Sequence, residues 1–147
     1  MSQNLKNELE IEIKNLNQLI FEIQKLKNKI GLSEPDNVSK AALGAFTSQF
    51  YNGIENIFKR IHRAYSIQLP SDDNWHLVLL NRFSEDNDFN VPIKFSKEII
   101  LKLNEYRRFR HYFFHGYSFN IKWDILFESV SDVESLMNII IKELKKL

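Results

Sequence analysis

The sequence contains no cysteine, so disulfides, thiolate metal sites and a cysteine nucleophile are all excluded. Only four glycines and three prolines occur in 147 residues, which favours long helices over a strand-and-turn architecture. No apolar run approaches the roughly 20 residues of a membrane span, and the first residues are too charged for a signal peptide. We therefore expect one cytoplasmic domain covering residues 1–147, without contact to a membrane.

Charge of either sign is not in excess, because the formal net charge is only +1. A protein that binds duplex DNA as its main task usually carries a clearer basic excess. Any contact with nucleic acid must then come from a local basic patch rather than from the whole surface.

What the sequence does contain is apolar residues at steps of three and four, the spacing of amphipathic helices. They predict four long helices and a short one, over about Gln3 to Ile30, Val38 to Tyr65, Asp72 to Ser84, Ser96 to Phe114 and Asp124 to Leu147. Gly31 is expected to end the first helix. Ser71 or Asp72 is expected to cap the third, and Ser96 the fourth. The stretch YSFNIKWD is expected to be a short extended or irregular connection.

Short connections between long amphipathic helices favour an all-α, up-and-down four-helix bundle, here with one extra short helix. Small residues on the second helix would let another helix pack closely: Ala41, Ala42, Gly44, Ala45 and Gly53. The competing interpretation is a long coiled-coil dimer formed through the first helix alone.

Unusual chemistry is concentrated in residues 105–117, EYRRFRHYFFHGY. This stretch holds three arginines, two histidines and six aromatic residues in thirteen positions. Guanidinium groups pair with phosphate and aromatic rings stack on unpaired bases, so the pattern suits single-stranded RNA. It equally suits an amphipathic bundle helix with core aromatics and solvated arginines.

Arg110, His115 and Tyr117 in this stretch form the pattern R-x4-H-x-Y. The pattern resembles the signature of the HEPN superfamily, and more narrowly that of the HepT-like ribonuclease toxins, in which a polar residue such as His111 usually follows the arginine. Flanking segments also resemble that family: RFRH before the motif, YSFNIKWD after it and WHLVLL upstream. The resemblance covers about residues 42–126.

This resemblance implies an endoribonuclease that uses no metal and no cofactor, built as a HEPN-type bundle. It also implies a homodimer that brings two motif copies together. Control would come from a small nucleotidyltransferase antitoxin of the MNT type, which attaches AMP to the motif tyrosine, Tyr117. A non-catalytic helical partner that positions substrate for such a nucleotidyltransferase is the alternative function.

The chemistry of the motif residues fits RNA cleavage independently of the family. An imidazole can transfer a proton near neutral pH, which suits His115 to act as acid or base. A guanidinium clamps phosphate oxygens by charge and geometry, which suits Arg110. One such histidine per chain cannot comfortably hold both proton-transfer roles, which favours a dimer. Five residues along an ideal helix would point Arg110 and His115 roughly 140° apart, so the helix must end or the arginine must swing round.

Supporting roles are expected for Arg107, Arg108 and His111 in binding RNA. His111 and His115 share the spacing of a two-histidine metal pair, but no third ligand is evident in the sequence, so no metal is expected. Glu55 could orient Arg110 across the bundle, or it could pair with Lys59 at the surface. His76 is expected to be structural, through hydrogen bonding.

Overall fold

The computed structural model describes residues 2–31 and 33–147. Over these ranges the chain forms six α-helices: α1 (Gln3–Ile30), α2 (Asn37–Ala64), α3 (Trp75–Asn81), α4 (Lys97–His115), α5 (Trp123–Ser129) and α6 (Val133–Leu144). A 3₁₀ turn, Ser118–Asn120, joins α4 to α5. The all-α bundle predicted from the sequence is confirmed. None of the helices in the described ranges has both the length and the apolarity needed to cross a bilayer.

Helix α2 lies at the centre of the bundle and runs antiparallel to α1. The apolar stripe of α1 is buried in the common core at Leu5, Leu9, Leu16, Ile20 and Ile23. Near its C-terminal end, α2 contributes Arg60, which forms ion pairs of 3.1 Å with Glu8 and with Glu12 near the start of α1. The stripe of α1 is therefore used inside the bundle, and a coiled coil formed by this helix alone is not the fold.

Two glycines of α2 allow its neighbours to approach closely, as the sequence predicted. The position of a Cβ at Gly53 is already taken by the side chain of Leu16 in α1. The corresponding position at Gly44 is taken by the ring of Phe113 in α4. Helices α1 and α4 thus pack against opposite parts of α2 at sites where no side chain intervenes.

The last predicted helix, Asp124 to Leu147, is wrong as a single element. It is divided into α5 and α6 by a turn at residues 130–132. Hydroxyls at the turn donate to nearby carbonyls, Ser129 Oγ to Leu126 O at 2.7 Å and Ser131 Oγ to Glu128 O at 2.7 Å. Such bonds compete with the helical ladder. Helix α5 begins at Trp123, one residue before the predicted start at Asp124.

Helix α3 is shorter than the predicted range, Asp72 to Ser84. Asn74 is its N-cap residue and makes no side-chain capping bond, so Ser71 and Asp72 are not caps. At the other end the backbone N–H of Phe95 donates to the carbonyl of Phe83 at 2.7 Å. The ammonium of Lys94 donates hydrogen bonds to the carbonyls of Arg82, Asn87 and Phe89 at 2.7–2.8 Å. These contacts stabilise the loop that follows α3. The predicted Ser96 cap of α4 is confirmed, since Ser96 Oγ accepts from the N–H of Ile99 at 3.3 Å.

A fully buried histidine links α2 to this region. His62 Nδ1 donates to the carbonyl of Phe58 at 2.9 Å, and its Nε2 accepts from Arg82 at 3.1 Å. Both nitrogens are engaged in a neutral ring, and burial lowers the pKa of His62. His62 is therefore a structural residue of the core.

Candidate active site

The C-terminal half of α4 crosses the middle of α2 at an ion pair between Arg110 and Glu55. The guanidinium meets the carboxylate along two N···O contacts, Nη1 to Oε1 at 2.8 Å and Nη2 to Oε2 at 3.2 Å. The side chains are 11% and 5% exposed. Of the two geometries left open for Glu55, the contact across the bundle is the one observed. Lys59 lies instead over the ring of Trp75, 4.5 Å from its centroid.

Further contacts fix the Arg110 guanidinium on its inner side. Nη1 also donates to Asn52 Oδ1 at 2.7 Å, and the guanidinium lies 4.9 Å from the ring centroid of Tyr51. Both Nη1 hydrogens are thereby used. The Nε–H and one Nη2 hydrogen are not consumed by Asn52 or Glu55, and they lie on the same edge of the planar fork. That edge is the part of Arg110 that can bind a phosphate oxygen.

His76 at the start of α3 completes this group. Its Nδ1 lies 2.7 Å from Glu55 Oε2 and 3.0 Å from Arg110 Nη2. A carboxylate only accepts, so the short contact requires the hydrogen to be on Nδ1, and Nδ1 then cannot also accept from Arg110. The imidazole is stacked on Trp75 with ring centroids 3.5 Å apart. Glu55 therefore receives hydrogen bonds from two side chains, and the ring of His76 is held in one orientation.

His115 and His111 lie on the exposed face at the end of α4. Their rings are stacked with centroids 4.1 Å apart, as their spacing of four residues predicted. His115 Nδ1 donates to the carbonyl of His111 at 2.8 Å. In the neutral ring this leaves the lone pair on Nε2, directed away from the helix and able to accept a proton.

These groups line one open cleft between α2, α3 and α4. Its volume is about 570 Å³, within the range of ligand sites. Cationic and imidazole groups dominate its lining, and Glu55 is the only carboxylate among the lining residues: Asn52, Glu55, Asn56, Lys59, Trp75, His76, Arg107, Arg110, His111, Phe114 and His115. Because α4 ends at His115 and Arg110 reaches inward, both motif residues face this cleft despite their angular separation. Such a lining suits a polyanion with a reactive phosphate.

Arg107 and Arg108 are separated by the structure. Arg107 lines the cleft and donates through Nε to Asn104 Oδ1 at 2.8 Å. Arg108 lines a different groove, between α4 and α5, beside Tyr112 and Lys122. The sequence had grouped both with the motif, and only Arg107 shares its cleft.

Aromatic side chains are exposed around the end of α4. Tyr117 is 72% exposed and Phe119 54%, and their rings are stacked with centroids 5.5 Å apart. Tyr112 and Phe114 are also more than half exposed. By contrast Tyr106 is buried and donates to Asp132 at 3.0 Å, and burial raises the pKa of its hydroxyl. The aromatics of residues 105–117 are thus divided between the core and an exposed patch.

Sequence reasoning missed one residue of the site, Asn52, and had not placed His76 in the site. Asn52 precedes Glu55 by three residues, so both project from one face of α2, a spacing that could have identified it. His76 had been assigned a structural role, and the structure adds that it lines the same cleft as the motif. In the described ranges no group of three His, Asp or Glu side chains is placed to hold a metal ion.

An antiparallel helical bundle with an R-x4-H motif lining a cleft at the end of one helix has the features expected of a HEPN domain. A family model described as HepT-like protein matches residues 42–147. The chain belongs to this HepT-like family of the HEPN superfamily. No curated protein and no solved structure matches it.

Proposed function

We propose that this chain is the toxin of a toxin–antitoxin pair and cleaves RNA without a metal ion. The observation that carries the proposal is the shared cleft of Arg110 and His115, in which an anchored guanidinium and a free imidazole nitrogen face the same space. Membership of the HepT-like family supports the ribonuclease class.

The reaction needs two proton transfers and one site of charge stabilisation. The 2′-oxygen attacks phosphorus as its proton leaves, and the bond from phosphorus to the 5′-oxygen breaks as that oxygen gains a proton. His115 Nε2 performs one of these transfers. The free edge of Arg110 binds a phosphate oxygen and stabilises the charge of the transition state. Asn52 and Glu55 position Arg110, and Arg107, Lys59 and His111 attract and hold the RNA backbone.

The active form is a homodimer in this proposal. Phe114 lines the cleft, and Tyr112, Tyr117 and Phe119 are also more than half exposed. Exposed large apolar side chains of this kind commonly mark interfaces when they are clustered. A contact through this patch would bring two copies of the motif near each other, as the resemblance implies. Light scattering at micromolar concentration tests the dimer, and a monomer that cleaves RNA would contradict it.

Control is proposed to act at Tyr117 through AMP transfer by an MNT-type nucleotidyltransferase antitoxin. The hydroxyl-bearing ring is 72% exposed and follows His115 by two residues. A nucleotide attached there would carry its phosphate to the mouth of the cleft, where it would compete with RNA for the cationic groups.

The alternative function is a non-catalytic subunit that positions substrate for the nucleotidyltransferase. It is favoured by the burial of Arg110, whose side chain is only 11% exposed and already paired with Glu55. Purified protein incubated with total RNA in the presence of a chelator separates the two functions. Cleavage supports the nuclease, and intact RNA together with a stable complex of the two proteins supports the positioning subunit.

A further inference from the structure

Three imidazoles line the cleft within a single chain, and one of them lies outside the R-x4-H motif. His76 is contributed by α3, whereas His111 and His115 come from α4. Glu55 from α2 is the hydrogen-bond acceptor for His76 Nδ1, at 2.7 Å. A carboxylate in this position fixes both the tautomer and the ring orientation.

The other nitrogen of His76 is left available. Its Nε2 lies on the ring edge away from Nδ1 and makes no hydrogen bond among the described residues. The side chain is 38% exposed, although Trp75 covers one face and the Glu55 carboxylate, only 5% exposed, lies at Nδ1. The exposed edge of His76 therefore faces the cleft.

We propose that His76 is a proton-transfer residue of the RNA-cleaving site, acting through Nε2 while Glu55 holds Nδ1–H. The proposal rests on the proposed ribonuclease function and deepens it. His115 and His76 then divide the two transfers. One ring takes the proton of the 2′-hydroxyl and the other, protonated, gives one to the 5′-oxygen. Exchange with water restores both rings.

The charges around His76 are compatible with either transfer. Glu55 and Arg110 both lie at Nδ1, at 2.7 and 3.0 Å, and Lys59 lies over the ring of Trp75 that is stacked on His76. From α4, Arg107, His111 and His115 line the same cleft. A scissile phosphate bound in this cleft would meet imidazoles from two helices, α3 and α4, which a site built from α4 alone would not provide.

Two substitutions distinguish a positioning role of His76 from a role in proton transfer. In His76→Asn the side-chain amide nitrogen takes the place of Nδ1, so the hydrogen bond to Glu55 is kept while the titrating nitrogen is lost. In His76→Ala both are lost. If His76 only holds Glu55 and Arg110 in place, His76→Asn should rescue activity relative to His76→Ala.

The experiment measures cleavage of a fluorescent single-stranded RNA as a function of pH, with melting temperatures recorded in parallel. We expect both His76 variants to lose about 10²–10⁴-fold in kcat. His76→Asn should melt like the wild type, and its pH–rate profile should lose one limb of the bell. Near-normal kcat and an intact bell in His76→Asn would overturn the proposal. An inactive wild type would instead contradict the ribonuclease function itself.

Discussion

Arg110 and Glu55 form a two-contact ion pair between α4 and α2, with N···O distances of 2.8 and 3.2 Å. The residue expected to bind substrate phosphate is thereby also part of the packing between two helices. Removal of either partner leaves the other charge buried without its ionic partner, because the two side chains are 11% and 5% exposed. Stability and activity are thus coupled at this position.

Glu55→Ala should therefore destabilise the fold by about 3–5 kcal/mol, the usual cost of breaking a buried pair from one side. Arg110→Ala should have a similar effect, so this substitution cannot be expected to leave the fold intact. The double variant Glu55→Ala with Arg110→Ala should lose less stability than the sum of the two single substitutions. Urea unfolding measures these differences, with the exposed Glu10→Gln as control. Additive effects would show that the two residues are not coupled.

Stability should fall as the pH drops below about 6.5 because of His62. Its folded-state pKa lies below the ordinary value, since burial opposes the charged ring. At pH values below the ordinary histidine pKa, the unfolded chain binds a proton that the folded chain does not. The free energy of unfolding therefore decreases as the pH is lowered. The slope contributed by His62 is at most about 1.4 kcal/mol per pH unit. In urea titrations at about pH 7.5 and about pH 5, the free energy of unfolding should decrease less for His62→Gln than for the wild type. Equal decreases would remove His62 as the cause.

Gly53→Val should cost about 1–3 kcal/mol, because its side chain would occupy space already taken by Leu16. Gly116→Val is the matched control, since a Cβ there meets only the carbonyl of Tyr112, at 3.4 Å. Thermal unfolding of both variants tests the close contact between α1 and α2. Equal melting temperatures for the two variants would mean that this contact is not tight.

If control acts as we propose, AMP transfer from ATP by the proposed nucleotidyltransferase antitoxin should add whole multiples of one AMP to the wild type and abolish RNA cleavage. Tyr117→Phe should gain no mass, because it lacks the accepting hydroxyl. Tyr112→Phe is the matched control, a second exposed tyrosine close by that should leave the mass gain unchanged. Intact mass spectrometry gives the result. A gain that persists in Tyr117→Phe would move the modification to another residue.

The bounds of a helix could be predicted from the sequence where a single apolar stripe runs along the whole helix. The bounds of α1 were predicted to the residue, and those of α2 within one residue at each end. The prediction of helix bounds failed where side chains form hydrogen bonds with backbone carbonyls. Lys94 uses carbonyls from three positions in the loop after α3, and Ser129 and Ser131 interrupt the last helix. The spacing of apolar residues carries no information about these hydrogen bonds.

The site was accessible only in part. Arg110, His115 and Tyr117 follow from a local motif, but the contact between Arg110 and Glu55 joins residues 55 positions apart. The role that we propose for His76 was the least accessible, because it depends on which ring nitrogen is hydrogen-bonded to Glu55. That assignment needs atomic distances, and no spacing in the sequence encodes it.

We propose that His115 transfers a proton during metal-independent RNA cleavage. The most direct measurement compares wild type with His115→Gln on single-stranded RNA in excess chelator. His115 is exposed at the end of α4, so the substitution should leave the melting temperature unchanged. Lys97→Gln, exposed at the opposite end of α4, is the control. We predict cleavage by wild type and control and a loss of about 10²–10⁴-fold in rate for His115→Gln. Cleavage by a folded His115→Gln protein at the wild-type rate would show that His115 is not a proton-transfer residue.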